Sequence, residues 1–179
     1  MCGFAGFRQF EYRDALTPQQ RLKRMGESIW LRGPDAGGVW FNKSLGLGLS
    51  HRRLSIQDIS ASGAQPMVSE SGRYVLAFNG EIYNFTELRQ DFVDSGHQFR
   101  GHSDTEVMLA CFERWGIHSS LEKFEGMFAF ALFDSSENML YLARDRLGEK
   151  PLYYGWNRRN TLLFGSELKA LRQLSLIHI

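Results

Sequence analysis

Sulfur is scarce in this chain of 179 residues: Cys2 and Cys111 are its two cysteines. Two thiols are too few for a disulfide framework, and no C-x-x-C or H-x-x-x-H pattern suggests zinc, so neither structural disulfides nor metals are expected. Long apolar runs are also missing. No stretch approaches the roughly 20 residues of a membrane span. The first residues lack the basic-then-apolar pattern of a secretory signal, because Arg8, Glu11, Arg13 and Asp14 interrupt them. The expectation is a cytoplasmic protein without membrane contact. Nor does one sign of charge dominate: 21 Lys and Arg against 20 Asp and Glu leave +1. No global field therefore favours nucleic acid, an anionic membrane or a polyanionic substrate, and any binding must be local. Repeats and low-complexity segments are absent. What is present, 43% hydrophobic and 23% charged residues, excludes disorder and fits one domain with a sizeable core, alone or with the start of another.

The small, apolar opening Cys2-Gly3-Phe4-Ala5-Gly6-Phe7 reads as a buried strand with glycines where a backbone or ligand comes close. Thr17-Pro18 supplies a cap and first-turn proline for a helix carrying Leu22, Met25 and Ile29, expected to end near Arg32-Gly33-Pro34. Residues 39–53 alternate like a strand, and Tyr74 to Phe78 forms another. A short helix with Leu88 and Phe92 follows Asn84. Ser103-Asp104-Thr105-Glu106 has the form of a capping box before Val107, Met108, Cys111 and Phe112. Met127 to Phe133 is apolar throughout, as in a strand covered on both faces, and strands recur at 140–142, 152–154 and 162–164. Strands in runs, without strict alternation with helices, argue for an α+β fold with mostly antiparallel sheets. A helix begins at Glu167. The apolar, uncapped end from 175 to 179 reads as a cut, leaving residues 2–174 as the domain.

Cys2 directly behind a removable Met1 is the most informative pair. Once Met1 is gone, one residue bears both a thiol and a free α-amine, which titrate near about 8.5 and about 7.7–8.0, so amine-assisted proton removal from sulfur costs little near neutral pH. That is the logic of an N-terminal nucleophile; taken alone, Cys2 also reads as a small buried apolar residue. Asn79-Gly80 leaving a strand suits an oxyanion hole, although Asn-Gly is equally a hairpin signal. Arg53 can hold a carboxylate if it points inward. Asp104 has the ordinary place of an acid in a helix first turn. Arg32-Gly33-Pro34-Asp35 with Gly37-Gly38 lacks a phosphate-loop pattern and reads as a loop bordering a site.

As a set, these segments resemble the glutaminase domain of glutamine-hydrolysing asparagine synthetases. The segments are Met1 to Gly6, Arg32 to Asp35, His51 to Ile56, Asn79 to Asn84, Ser103 to Glu106, and the long run Arg144 to Tyr154. Gly126 to Ala131 and Gly165 to Leu171 add to the likeness. The resemblance implies an N-terminal-nucleophile hydrolase fold, two antiparallel sheets between helical layers, and the class II glutamine amidotransferase reaction. By that likeness Cys2 attacks the side-chain amide of L-glutamine, and Asn79 with the Gly80 N–H stabilises the oxyanion. Arg53 would hold the α-carboxylate, and Glu81, Asp104 and backbone around Ile56 the α-ammonium. It further implies a C-terminal synthetase domain, outside these 179 residues, which uses ATP and Mg2+ to activate aspartate; the domain in hand would need no cofactor. Homo-oligomerisation is left open. The alternatives are the glutaminase domain of an amidophosphoribosyltransferase or glucosamine-6-phosphate synthase, or a non-catalytic glutamine sensor.

Overall fold

The computed structural model describes residues 2–9, 16–56, 58 and 60–174. In chain order these form β1 (Gly3–Arg8), α1 (Pro18–Ser28), β2 (Ala36–Asn42), β3 (Leu47–Arg53), β4 (Met67–Val68), β5 (Tyr74–Ile82) and α2 (Phe85–Asp94). They continue with α3 (Asp104–Trp115), α4 (Ile117–Lys123), β6 (Gly126–Asp134), β7 (Met139–Arg144), β8 (Tyr153–Trp156), β9 (Leu162–Gly165) and α5 (Leu168–Arg172). One sheet has the order β2-β3-β1-β9-β8 and the other β4-β5-β6-β7. All the strand pairings within them are antiparallel.

Side-chain alternation along each strand sorts the core into three layers. Phe4, Leu47, Leu49 and Phe164 of the first sheet meet Val75, Ala77, Ala129, Ala131 and Phe133 of the second between the sheets. The opposite phase of β1, Ala5 and Phe7, packs on Leu22, Met25 and Ile29 of the α1 segment and on Ala170 and Leu171 of α5. Leu76, Phe78, Phe128, Phe130 and Leu132 pack under α2, α3 and α4. The order is therefore helices, sheet, sheet, helices, and β6 is covered on both faces as its unbroken apolar run requires.

Local chemistry accounts for the element ends. Thr17 and Gln20 close a full capping box on α1, each side chain meeting the other's backbone amide. The box foreseen at α3 is half formed. Ser103 Oγ accepts from the Glu106 amide at 3.3 Å, but the Glu106 carboxylate turns to the amides of Arg100 and Gly101.

Three expectations need correction. The strand read over 39–53 is two strands, because Gly46 takes a positive φ of 59° that breaks the run and turns Leu45 out of it. Gly37 and Gly38 lie within β2, not in a loop. Asn79-Gly80-Glu81 lies inside β5, paired with Ala129, Phe128 and Met127 of β6, and is not a turn. Gly80 is needed there for closeness: a Cβ would come within 2.3 Å of the Met127 carbonyl oxygen. Residues 175–179, read as a cut end, lie outside the described residues.

Candidate active site at the open edge of β5

β4 is only two residues long and pairs with Val75 and Leu76, so β5 has a bare edge from Phe78 onward. Alternation directs the amides of Phe78, Gly80 and Ile82 to that edge. The Phe78 N–H donates to Gln65 Oε1 at 2.7 Å and the Ile82 N–H to Asp104 Oδ2 at 3.1 Å. The Gly80 N–H lies between these two, on a cavity of about 120 Å³ lined by Cys2, Arg53, Asn79, Gly80, Glu81 and Asp104 among others. Asn79 is in phase with Val75 and Ala77, so its side chain enters the layer between the sheets. It is 1% exposed, and its Nδ2 has no hydrogen-bond partner among the described residues. A buried donor without an acceptor is costly unless a ligand supplies one.

Cys2 stands one residue before β1 and in phase with Phe4. Its Sγ accepts from the Leu54 N–H at 3.4 Å. Burial pushes the thiol above its usual range, with the Leu54 amide working the other way. At neutral pH it is therefore a thiol that needs a base. Cys111, buried in α3, is pushed up to about 12 by desolvation.

Arg53 ends β3 pointing inward, 9% exposed. Its guanidinium donates to the carbonyl oxygens of Ser60, at 2.8 Å, and of Asp58. Neutral carbonyls orient the cation without neutralising it, and among the described residues it has no ion-pair partner. The segment Arg32 to Asp35, read as bordering a site, does not line the cavity but holds backbone next to it: the Asp35 N–H donates to the Arg53 carbonyl, and Asp35 Oδ2 accepts from the Ser55 amide at 2.8 Å.

Asp104 opens α3 and is 6% exposed. Burial raises its carboxyl to about 6 against amides of Ile82 and Thr105 that favour the charged form; the nearby Glu81 charge adds to the rise. Glu81 is exposed at the same rim. Ile56 is 74% exposed in the loop after β3 and also lines the cavity. Cys2, Arg53, Ile56, Asn79, Gly80, Glu81 and Asp104 thus border one space, with the cation held by the Asp58 and Ser60 carbonyls and the two acids on the β5 and α3 side.

Sequence reasoning missed Gln65, Asp58 and Lys150, which line the same cavity. Gln65 belongs to a segment with no periodic signal, and its contact with Phe78 depends on β4 beginning only at Met67. Asp58 is lowered to about 2 by hydrogen bonds from the His102 amide and the Ser60 hydroxyl, so it fixes the loop that holds Arg53. Lys150 is 5% exposed; its amide and that of Glu149 are held by the Asp145 carboxylate. Among the described residues no group of three or more His, Cys, Asp or Glu could hold a metal ion, and no helix is long and apolar enough to cross a membrane.

A helix–sheet–sheet–helix sandwich with a cysteine at the head of β1 thus opens on a cavity that pairs an arginine with acids. The chain belongs to the glutamine amidotransferase domain family, whose model matches residues 1–179. It is 39% identical over 173 residues to glutamine-hydrolysing asparagine synthetase 3 of Bacillus subtilis, covering 96% of this chain and 27% of that protein. To glutamine-hydrolysing asparagine synthetase B of Escherichia coli it is 40% identical over 172 residues, 96% of this chain and 30% of that one. The chain therefore spans between a quarter and a third of the length of these curated relatives. Its fold matches the solved structure of glutamine phosphoribosylpyrophosphate amidotransferase from B. subtilis, complexed with ADP and GMP. There the TM-score is 0.79 at 22% identity, over 96% of this chain and 43% of that one. The last likeness is one of fold.

Proposed function

We propose that the cavity hydrolyses the side-chain amide of L-glutamine to glutamate and ammonia through a thioester on Cys2. The observation that carries this is the Nδ2 of buried Asn79, without a partner among the described residues, beside the Gly80 amide on the cavity that Cys2 enters. After loss of Met1, the Cys2 α-amine takes the thiol proton and the sulfur attacks the amide carbon. Asn79 and the Gly80 N–H stabilise the oxyanion. The proton passes to the departing ammonia, and water then cleaves the thioester to release glutamate and restore the thiol. Arg53, oriented by carbonyls and left cationic, suits the α-carboxylate; Asp104 and Glu81 suit the α-ammonium.

The identity to glutamine-hydrolysing asparagine synthetases supports a further step in the whole protein, in which the ammonia is passed to ATP-activated aspartate in a C-terminal synthetase domain. ATP and Mg2+ belong to that domain on this reading, and the glutaminase site works without a cofactor. A cytoplasmic location fits a reaction that draws on free glutamine and ATP.

The test is mass spectrometry of the N-terminal peptide after treatment with 6-diazo-5-oxo-norleucine. A glutamine-protected adduct on Cys2 of the processed chain is expected; Cys2 left unmodified after Met1 loss would mean a binding module. Ammonia-dependent and glutamine-dependent asparagine formation by the longer protein, with ATP and aspartate, tests the acceptor.

A further inference from the structure

Phe78 precedes the two oxyanion donors and is held at both of its backbone polar groups by side chains from elsewhere. Its N–H donates to Gln65 Oε1 at 2.7 Å, and its carbonyl oxygen lies 2.9 Å from His51 Nε2. His51 stands on β3, in phase with Leu47 and Leu49, so its ring crosses from the first sheet to the second. It is 1% exposed. A carbonyl only accepts, so Nε2 carries the proton, while Nδ1 has no partner among the described residues. Burial also holds the ring neutral, its pKa lowered to about 4. Gln65 is itself fixed: its Nε2 donates to Thr105 Oγ1 at 3.2 Å, next to Asp104. A Cβ on the neighbouring Gly38 would come within 2.1 Å of the Gln65 carbonyl, so β2 packs tightly behind it.

These two side chains do what an adjacent strand would do, on the stretch of β5 that lies beyond the first residue of β4, Met67. Pairing continued back from Met67 in the same register would bring Gly63 opposite Gly80 and cover the edge that the Gly80 N–H needs open, whereas a bare edge would leave Phe78 without partners. We infer that His51 and Gln65 are positioning residues for the glutaminase reaction, clamping the Phe78 backbone so that Asn79 Nδ2 and the Gly80 N–H converge on one oxyanion. The inference rests on the reading of the site given under Proposed function. Neither residue touches the substrate in this scheme; both act through the peptide that joins Phe78 to Asn79.

The experiment compares His51→Leu, His51→Gln and Gln65→Leu with the unaltered full chain after Met1 removal, with folding checked by circular dichroism. A misplaced oxyanion donor should lower glutaminase kcat roughly tenfold or more, with KM for glutamine little changed. Affinity for glutamate γ-semialdehyde, whose aldehyde adds the Cys2 thiol to give a tetrahedral hemithioacetal, should fall in parallel. Glutamine binding to the same variants carrying Cys2→Ala should not. His51→Gln, which keeps an N–H donor of similar reach, should recover much of kcat. A folded His51→Leu or Gln65→Leu with unchanged kcat and unchanged aldehyde affinity overturns the clamp. So does a loss confined to KM. If His51→Leu does not fold, Gln65→Leu decides from the other side of the same peptide. Cys2→Ala and Asn79→Ala run alongside: retained glutaminase activity in either would sink the reading of the site, and loss in both with normal clamp variants would sink the clamp alone.

Discussion

Asp104 carries two demands on one carboxylate. Its oxygens tie the start of α3 to the edge of β5, and its charge faces the position proposed for the glutamine ammonium. Burial holds the folded carboxyl at about 6, above the 3.8 of an exposed one. The raised value makes its contribution to stability full below about pH 3.8 and lost as pH rises through about 6. Binding has the opposite preference, because only the charged form holds an ammonium. The KM for glutamine should therefore rise as pH falls through about 6, and the limb in kcat should lie lower because a bound cation favours the charged acid. Asp104→Asn should remove that limb from kcat/KM and weaken binding by about 1–3 kcal/mol, the cost of a lost charged hydrogen bond. It should also flatten the fall of stability with pH. A KM unchanged by the substitution would count against the ammonium role. The two thiols invite a simpler measurement. With Cys111 held near 12 inside α3 and Cys2 on the cavity, an alkylating reagent at mild pH should label Cys2 alone in the folded chain. Peptide mapping checks this.

At the scale of elements, α3 is the helix whose placement matters for chemistry and α1 the one whose placement does not. Both start on a hydroxyl cap. Ser103→Ala and Thr17→Ala should each cost about 0.5–2 kcal/mol of stability, measured by denaturant unfolding. Only Ser103→Ala should also raise the KM for glutamine, since it loosens the turn that begins at Asp104. Equal kinetic effects would mean that cap loss acts through global stability. The same comparison explains why the half-formed box at α3 is no defect: Glu106 is used to hold Arg100 and Gly101, which precede that turn.

At the scale of the molecule, the site exists because two sheets are held face to face with Cys2 on one and Asn79 on the other. Within the first sheet Gly6 makes room for the Phe164 side chain of the neighbouring strand: a Cβ at Gly6 would lie 2.4 Å from the Phe164 ring and 2.5 Å from the Gly48 carbonyl oxygen. Phe164 is fully buried there, and Phe164→Ala should cost about 3–5 kcal/mol. Because the cavity lies between sheets that the buried layer containing Phe164 spaces, the variant should lose activity at temperatures where Asp104→Asn remains folded. Parallel thermal unfolding and glutaminase assays read this.

The residues that the resemblance singled out, Cys2, Arg53, Ile56, Asn79, Gly80, Glu81 and Asp104, all line one cavity. Cys2 behind Met1 and the pair Asn79-Gly80 are short motifs; Arg53, Glu81 and Asp104 gained meaning only through the resemblance of the whole set of segments, and that Arg53 points inward is a finding of the structure. The unbroken apolar run of β6 already required a face on each side. Other features depended on contacts between distant segments. Asn-Gly favours a turn by local preference, yet Asn79-Gly80 became strand because nine residues of β6 offered a continuous ladder, and a ladder outweighs a local propensity. Gln65 and Asp58 carry no pattern of their own, nothing local to His51 marks its contact with Phe78, and the partners of Gln65 and His51 lie between 13 and 40 residues away. The sequence by itself thus determined the elements and the set of segments that carries the family resemblance. Where β4 begins, which amides of β5 it leaves open, and how the Asn79 donor comes to lie buried with no acceptor among the described residues were decided by tertiary packing, because hydrogen-bond satisfaction is settled only when every segment is in place.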